Sequence, residues 1–167
     1  TLHSDLPDLI AAIRQLGYKV KLDTNGSNPA MLASLIADGL IDYCAMDIKN
    51  CPKKYDMSVS FSASPTPAVY DFEDIRQSAA LLLSQPCGGK NGFSYEFRTT
   101  LVKELHEEAD LYAICQWIAG ANAYYLQPYV ESDGVFCKSF HAHDEDTLAH
   151  FERLCQNYIP NTHLRGI

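Results

Sequence analysis

The sequence predicts an α/β protein built on a parallel sheet, because segments with strand patterns alternate with segments of helical periodicity along the chain. The predicted order is α-β-α-β-α-β-α-β-α, and strands that alternate with helices form right-handed βαβ units. The chain has 167 residues, with no internal repeat and no low-complexity linker. We therefore predict a single domain, 1–167, with four parallel strands, either as a flavodoxin-like sheet or as part of a (β/α) barrel.

Five segments have the apolar spacing of amphipathic helices. Proline near the start and glycine at the end mark two of them: Pro7 and Gly17 bound the first, and Pro29 and Gly39 bound the second. Asp144 or Asp146 is expected to cap the last one. The predicted helices span 4–16, 29–39, 72–85, 107–119 and 144–158.

Four segments have the patterns of strands, either alternating apolar and polar residues or forming a short apolar run. They span 18–23, 41–48, 93–103 and 123–129. The polar segment 49–67 is rich in proline and serine, so we predict a long loop with one helical turn. The glycine-rich segment 86–92 is predicted to be a simple connection.

Composition restricts the partners and the compartment. Asp and Glu number 21 against 13 Lys and Arg, so the formal net charge is −8, which argues against nucleic acid or an anionic membrane as a partner. No apolar run approaches the length of a membrane-spanning helix, and no secretory leader precedes the first helix. Six scattered cysteines without CxxC spacing are typical of reduced thiols, so we expect a cytoplasmic protein. They are Cys44, Cys51, Cys87, Cys115, Cys137 and Cys155.

Polar residues collect where the predicted strands end, which is where ligands bind in both architectures. They are Asp23, Thr24 and Asn25; Asp47, Lys49 and Asn50; Glu96, Arg98, Thr99 and Thr100; and Gln127, Pro128 and Tyr129. Asp23 and Asp47 can hold a cation or a cationic ligand, while Lys49 can hold an anion. Turn or cap roles for the aspartates and a solvated Lys49 are the alternatives. Arg98 lies in an aromatic strand, where it needs either an ion-pair partner or a ligand.

Two further candidates are weaker. The segment 87–92 lacks the GxxxxGK[ST] pattern of a phosphate loop and precedes a strand, which favours a flexible turn. His141 and His143 can share a face and bind a metal, although a solvated loop that leads into the last helix is favoured.

Two ordered segments, LDTNG at 22–26 and AMDIK at 45–49, resemble the radical S-adenosylmethionine enzymes that activate glycyl-radical enzymes. Three others, FRTTLV at 97–102, YLQPYV at 125–130 and HLRGI at 163–167, are similar to one branch, the anaerobic ribonucleoside-triphosphate reductase activating proteins. Activases of pyruvate formate-lyase or of another glycyl-radical enzyme are the alternative, but the former often carry histidine where this chain has Val130.

The resemblance implies the C-terminal part of a partial (β/α)6 radical S-adenosylmethionine barrel. It also implies a [4Fe–4S] cluster that donates one electron to S-adenosylmethionine, and a 5′-deoxyadenosyl radical that takes hydrogen from a glycine of the partner enzyme. The implied partners are the glycyl-radical enzyme, here the anaerobic ribonucleoside-triphosphate reductase, and an electron donor such as flavodoxin.

The resemblance also implies a set of S-adenosylmethionine contacts and no catalytic residue within this chain. Asp23 and Asp47 correspond to positions beside a cation, Lys49 to a contact of the cofactor's carboxylate, and Pro128 and Tyr129 to positions near adenine. The complete set is Asp23, Thr24, Asn25, Asp47, Lys49, Arg98, Pro128 and Tyr129.

The chain departs from the family because it contains neither CxxxCxxC nor the GGE motif expected before its first residues. We therefore expect a fragment that lacks the first two β/α units, is inactive alone and exposes an edge strand at 18–23, through which it can dimerise. Two alternatives stay open. One is a non-enzymatic flavodoxin-like signalling module with Asp47 as phosphoacceptor, although its final strand lacks the expected lysine. The other is an aldolase-like protein with a Schiff base on Lys49.

Overall fold

The computed structural model describes residues 3–60, 71–86, 88, 92–130 and 139–166. These form a five-stranded parallel sheet with the strand order β1-β2-β3-β4-β5. The strands are β1 (Lys21–Thr24), β2 (Tyr43–Asp47), β3 (Ser94–Leu101), β4 (Tyr124–Pro128) and β5 (Thr162–Leu164). The helices are α1 (Leu6–Gln15), α2 (Pro29–Ala37), α3 (Tyr55–Ser60), α4 (Phe72–Leu83), α5 (Glu108–Trp117) and α6 (Glu145–Gln156). The predicted parallel α/β class is confirmed.

The prediction of four strands was wrong at the C-terminal end. β5 pairs in parallel with β4, with His163 opposite Tyr125. A strand of three residues is too short to show a period of two, and its one fully buried residue, Thr162, is polar. The helical turn expected within 49–67 is α3, and Asp144 caps α6 by accepting a hydrogen bond from the Thr147 amide at 2.8 Å.

The chain divides into two compact units, and the first comprises the described parts of 1–47 and 70–96. It contains α1, β1, α2, β2, α4 and the first three residues of β3. Its core combines side chains from α2, β2 and α4: Leu32, Leu35, Cys44, Met46, Ile75, Ala79 and Leu82. The Ser78 hydroxyl on α4 donates to the carbonyl of Gly26 at 2.7 Å, which holds the turn after β1 against this helix.

The second unit comprises the described parts of 48–69 and 97–167. It contains α3, the rest of β3, α5, β4, α6 and β5. Its core combines aliphatic side chains with three aromatic ones: Phe97, Leu101, Leu111, Ile114, Tyr124, Leu126, Leu148 and Phe151. The buried Tyr124 hydroxyl donates to Thr99 Oγ1 at 2.8 Å, which satisfies two polar groups inside this core. The single domain predicted for 1–167 stays a prediction.

Along the described ranges, no helix has both the length and the hydropathy that a bilayer crossing requires.

Candidate functional site

The residues that end β1 lie on two different faces of the strand. Leu22 and Thr24 are buried, whereas Lys21 and Asp23 are exposed, so the strand alternates strictly. Asp23 is 56% exposed, with the Lys21 ammonium 3.4 Å from its carboxylate. An exposed pair of this kind contributes little to stability. The Asp23 carboxylate is therefore accessible to a ligand on the face opposite Thr24.

Thr24 and Asn25 shape the turn that follows β1. Thr24 Oγ1 accepts a hydrogen bond from the Gly26 amide at 3.1 Å, and Asn25 Oδ1 accepts from the Ser27 amide at 3.1 Å. The Ser27 hydroxyl donates to the same Asn25 oxygen at 2.8 Å. These short polar side chains hydrogen-bond to the local backbone, as is usual in turns. They fix the position at which β1 ends, directly beside Asp23.

Asp47 lies at the end of β2 and is partly exposed. Asp23 is the register partner of Ala45, and Asp47 follows Ala45 by two residues on the same face. Strand spacing and rise place the two aspartate Cα atoms about 8 Å apart. The first unit thus brings Asp23 and Asp47 to one face of adjacent strands, and the cation site between them stays a prediction.

Glu96 is among the polar residues expected near the strand ends, but it is not among the eight predicted cofactor contacts. Glu96 is 2% exposed, and the Tyr43 hydroxyl donates to its Oε2 at 2.7 Å. Tyr43 alternates with Ala45 and Asp47 along β2, so it shares their face. A buried carboxylate in a sheet requires polar partners. The one available signal was the acid inside YEF at 95–97, which breaks the apolar pattern.

Lys49 lies two residues beyond β2, in the second unit, and is partly exposed. Its amide donates to the Tyr55 hydroxyl at 3.3 Å, and its carbonyl lies 3.0 Å from Nε2 of His106. His106 is 2% exposed and was not among the predicted site residues. The backbone of Lys49 is therefore fixed on both sides by aromatic side chains.

Arg98 is partly buried, not fully enclosed, in β3. It is the register partner of Tyr125, on the face opposite the buried Phe97 and Thr99. The Arg165 guanidinium stacks over the Tyr125 ring at 3.5 Å, which is the geometry of a cation–π contact. This face of the second unit therefore combines cationic groups with an aromatic ring.

Pro128 and Tyr129 end β4. Pro128 is the register partner of Leu101, and the Tyr129 amide donates to the Leu101 carbonyl at 3.1 Å. The Tyr129 ring meets Phe140 edge-on, with the centroids 6.2 Å apart. Val130, which follows, is 69% exposed. The carboxyl end of β4 thus presents aromatic and apolar surface, the type of surface that an adenine ring contacts.

The eight predicted contacts fall into two groups, one in each compact unit. Asp23, Thr24, Asn25 and Asp47 belong to the first unit, and Lys49, Arg98, Pro128 and Tyr129 belong to the second. Seven of the eight residues lie at or just beyond the carboxyl end of a strand, and Lys49 follows β2 of the first unit; Arg98 lies within β3. One binding site common to all eight residues stays a prediction.

The weaker metal candidate at 141–144 has structural roles in the fold. His141 Nδ1 lies 2.7 Å from Glu104 Oε1, and this contact lowers the pKa of the glutamate. The His143 ring packs edge-on against Phe151. Within the described part of the chain, no three His, Cys, Asp or Glu side chains come together as metal ligands. The phosphate-loop alternative at 87–92 lies largely outside the described residues.

The described cysteines do not fit an iron–sulfur cluster. Cys44, Cys51, Cys115 and Cys155 are buried and lie on different elements, while Cys87 and Cys137 lie outside the described residues. Burial and the hydrogen bond to Asp110 raise the pKa of Cys51, although neighbouring amides oppose this effect. Hydrogen bonding with Cys115, followed by burial, raises the pKa of Cys155. Their placement on separate parts of the fold is what argues against a shared cluster.

Comparison with known proteins supports the resemblance. No protein-family model matches the chain. A protein of Methanocaldococcus jannaschii that carries the name glycyl-radical enzyme activating enzyme is 29% identical over 156 residues. The match covers 92% of this chain and 61% of that protein, so the chain spans about three-fifths of its relative.

A solved structure shares the fold. The crystal structure of a domain of a pyruvate-formate lyase-activating enzyme from Bacteroides vulgatus aligns with a TM-score of 0.67 at 14% identity. The alignment covers 96% of this chain and 89% of that domain, and at this identity it shows the fold alone. The sequence match with the Methanocaldococcus jannaschii protein is what supports the resemblance to activating enzymes of glycyl-radical enzymes.

Proposed function

We propose that this chain is part of a radical S-adenosylmethionine activase of a glycyl-radical enzyme and that its residues bind S-adenosylmethionine. The supporting observation is the order of the motifs on the sheet. LDTNG ends β1, AMDIK ends β2, FRTTLV ends β3 and YLQPYV ends β4, so the activase-like motifs follow the carboxyl ends of successive parallel strands. The relative of 29% identity supports the same assignment.

The side chains present fit the chemistry of this cofactor, which carries a carboxylate, an ammonium group, a sulfonium and an adenosine. In the first unit, Asp23 and Asp47 supply negative charge for the cationic centres. In the second unit, Lys49 and Arg98 supply positive charge for the carboxylate, and Tyr129 supplies aromatic surface for the adenine. Thr24, Asn25 and Pro128 are proposed to hold the backbone next to these contacts. S-adenosylmethionine supplies the radical chemistry when bound, and the protein binds and orients it.

The proposal gives the described residues no part in holding a [4Fe–4S] cluster, because their cysteines do not fit one. Anaerobic reconstitution with iron and sulfide tests this statement. We expect no stoichiometric cluster absorbance from the 167-residue chain. A stoichiometric [4Fe–4S] spectrum that persists after Cys87 and Cys137 are both replaced by Ser would contradict it.

We propose the anaerobic ribonucleoside-triphosphate reductase as the glycyl-radical enzyme that is activated, with a donor such as flavodoxin in the cytoplasm. FRTTLV, YLQPYV and the valine at 130 support this branch. Surface plasmon resonance with purified reductase and purified pyruvate formate-lyase separates the two targets. We expect tighter binding to the reductase, and tighter binding to the lyase would assign the chain to the alternative branch.

Isothermal titration of the purified chain with S-adenosylmethionine tests the proposed function. We expect saturable binding that Asp47→Asn weakens about tenfold, because the carboxylate that faces the cationic centres is lost. Asp38→Asn removes a carboxylate beyond the end of α2 and serves as the matched control. Absence of binding by the unsubstituted chain, or equal loss in both variants, would refute the assignment.

A further inference from the structure

Ile48 and Lys49, which follow β2, have four backbone polar groups: two amides and two carbonyls. Side chains contact three of them, and a backbone carbonyl accepts from the remaining one. The Ile48 amide donates to the Arg98 carbonyl at 2.8 Å, which continues the sheet for one more residue. Thr99 Oγ1 donates to the Ile48 carbonyl at 2.8 Å. The Lys49 amide donates to the Tyr55 hydroxyl at 3.3 Å. The fourth group is the Lys49 carbonyl, and its partner is the ring of His106.

The contacts of His106 define its protonation and tautomer. The Val102 amide donates to Nδ1 at 3.1 Å, so Nδ1 carries no proton in this arrangement. The Lys49 carbonyl can only accept, so Nε2, which lies 3.0 Å from it, carries the proton. The Val102 carbonyl lies farther from Nδ1, at 3.3 Å. His106 is therefore a neutral imidazole that bridges the end of β3 and the segment after β2.

Further bonds tie the Lys49 segment to the segment that carries His106. Asn50 is fully buried, and its amide nitrogen donates to the Leu105 carbonyl at 3.0 Å. Lys54 donates to Asp110 Oδ2 at 2.8 Å, and Cys51 donates to Asp110 Oδ1 at 3.3 Å. Segment 49–54 is thus bound to segment 105–110 at several points. These bonds hold the backbone next to Lys49 in place, while the Lys49 side chain is partly exposed.

We propose that His106 is a positioning residue that holds the Lys49 backbone so that the Lys49 ammonium is directed at the carboxylate of S-adenosylmethionine. This inference rests on the proposed function, because it deepens the role assigned to Lys49. A side chain that must meet a carboxylate gains affinity when its backbone is fixed in advance, since less freedom is lost on binding. Neither the motif AMDIK nor the spacing of the sequence indicates a histidine 57 residues later as its support.

Two substitutions separate the two bonds of the His106 ring. His106→Gln keeps an amide donor near the position of Nε2, so it can still reach the Lys49 carbonyl. His106→Asn is shorter and keeps only an acceptor near the position of Nδ1, so it retains the bond with Val102 and loses Lys49. His150→Asn is the matched control, because His150 lies on α6, is 48% exposed and has its Nε2 2.9 Å from the exposed Glu108 carboxylate.

The binding test compares S-adenosylmethionine with decarboxylated S-adenosylmethionine, which lacks the group that Lys49 is proposed to contact. We expect His106→Asn to weaken S-adenosylmethionine binding about tenfold and His106→Gln to retain most of the affinity. Both variants should bind the decarboxylated ligand as the unsubstituted chain does. In a Lys49→Met background, His106→Asn should have no further effect, because the two residues act through one contact.

Several results would overturn the inference. An equal loss for both ligands would show that His106 serves only the fold, and full affinity in His106→Asn would show that it does not act on Lys49. If circular dichroism shows that His106→Asn does not fold, Tyr55→Phe removes the other side-chain contact to the Lys49 backbone, and the same carboxylate-dependent loss is expected. If the unsubstituted chain binds neither ligand, the proposed function fails and the inference fails with it. If the unsubstituted chain binds S-adenosylmethionine and the His106 variants bind it equally well, the inference about His106 is refuted while the proposed function stands.

Discussion

At the scale of single residues, Gly26 sets how closely the turn after β1 approaches β2. Its φ is +78°, in the left-handed region, and a Cβ there would overlap the terminal methyl of Met46. We expect Gly26→Ala to lower the free energy of unfolding by about 1 kcal/mol for the backbone conformation and by up to about 1 kcal/mol more for moving the end of the flexible Met46 side chain. Urea denaturation measures the loss.

Gly17 provides the control for this prediction, because its φ is +85° and a Cβ there would meet nothing within 4 Å. Gly17→Ala should therefore lower the free energy of unfolding only by the cost of the left-handed backbone conformation. In a Met46→Ala background the two alanine substitutions should cost the same, since the overlapping methyl is gone. If Gly26→Ala and Gly17→Ala lower the free energy of unfolding equally while Met46 is present, the close approach of Gly26 to Met46 is contradicted.

His106 gives a prediction for the dependence of stability on pH. Burial lowers its pKa below the ordinary 6.5, and the nearby His143 acts in the same direction, whereas the backbone hydrogen bonds and Asp110 oppose it. The unfolded chain therefore takes up this proton first as the pH falls through 6.5, so the free energy of unfolding should decrease there. His106→Gln should reduce the slope by up to about 1.4 kcal/mol per pH unit. An unchanged slope would contradict a buried neutral ring.

The sequence could identify Asp23 and Asp47 as side chains at strand ends, because period-two alternation and the following turns are local patterns. The alternation of Tyr18, Val20 and Leu22 also places Thr24 on the apolar face and Asp23 on the opposite one, although β1 begins at Lys21 and not at residue 18. The sequence could not indicate His106, whose contact with Lys49 depends on long-range packing.

At the scale of elements, the N-terminus of α5 is stabilised by one carboxylate with several partners. Asp110 accepts from the Glu107 amide at 2.9 Å and from Lys54 at 2.8 Å, and its side chain is 5% exposed. Burial raises the pKa of Asp110, but these hydrogen bonds outweigh it, so the pKa lies below its usual value of 3.8. The capping box and the Lys54 contact thus hold the N-terminus of α5 against the segment that carries Lys49.

The depressed pKa of Asp110 predicts the direction of acid destabilisation. The stabilising contribution should be complete above pH 3.8 and should be lost as the pH falls through the lower pKa of the folded state. Asp110→Asn should cost about 2 kcal/mol near neutral pH and should flatten the acid limb of the stability curve. Asp8→Asn, at an exposed position in the first turn of α1, should change neither. If the free energy of unfolding of Asp110→Asn still falls steeply at acid pH, another carboxylate causes the acid destabilisation.

The elements themselves could be predicted where they are long and periodic, as α4 and β3 are. Prediction failed for β5, because its three residues form a strand only by pairing with β4. The capping aspartate of α6 could be predicted, because a cap is a local interaction that the sequence shows directly.

At the scale of the whole molecule, β1 is the terminal strand in the order of the described sheet. Its exposed face carries Lys21 and Asp23, and Leu16 and Tyr18 precede it with 75% and 66% exposure. We propose that a second copy of the chain pairs with this edge. In a two-fold antiparallel pairing centred on Leu22, Lys21 of one copy lies opposite Asp23 of the other.

Sedimentation velocity over a range of concentrations measures this association. We expect reversible dimerisation that Lys21→Glu weakens, because like charges then face each other across the paired edges. Lys53→Glu makes the same charge change at an exposed position in the second unit and should leave the dimer intact. A chain that sediments as a monomer at every concentration would contradict the edge-pairing proposal.

The parallel α/β class could be predicted from alternation alone, because the connection rules leave few topologies. The division into two compact units does not follow composition, because the proline- and serine-rich segment 49–67 falls within the range of the second unit and β3 contributes to both. Spacing along the chain therefore could not show which predicted contacts belong to which unit.

The proposal that this chain binds S-adenosylmethionine can be checked by mapping amide chemical shifts in the ¹⁵N-labelled chain during titration with the cofactor. We expect saturable shifts at Asp23 and Asp47 in the first unit and at Lys49, Arg98 and Tyr129 in the second. Shifts confined to other residues, or no saturable shifts in the folded chain, would contradict it.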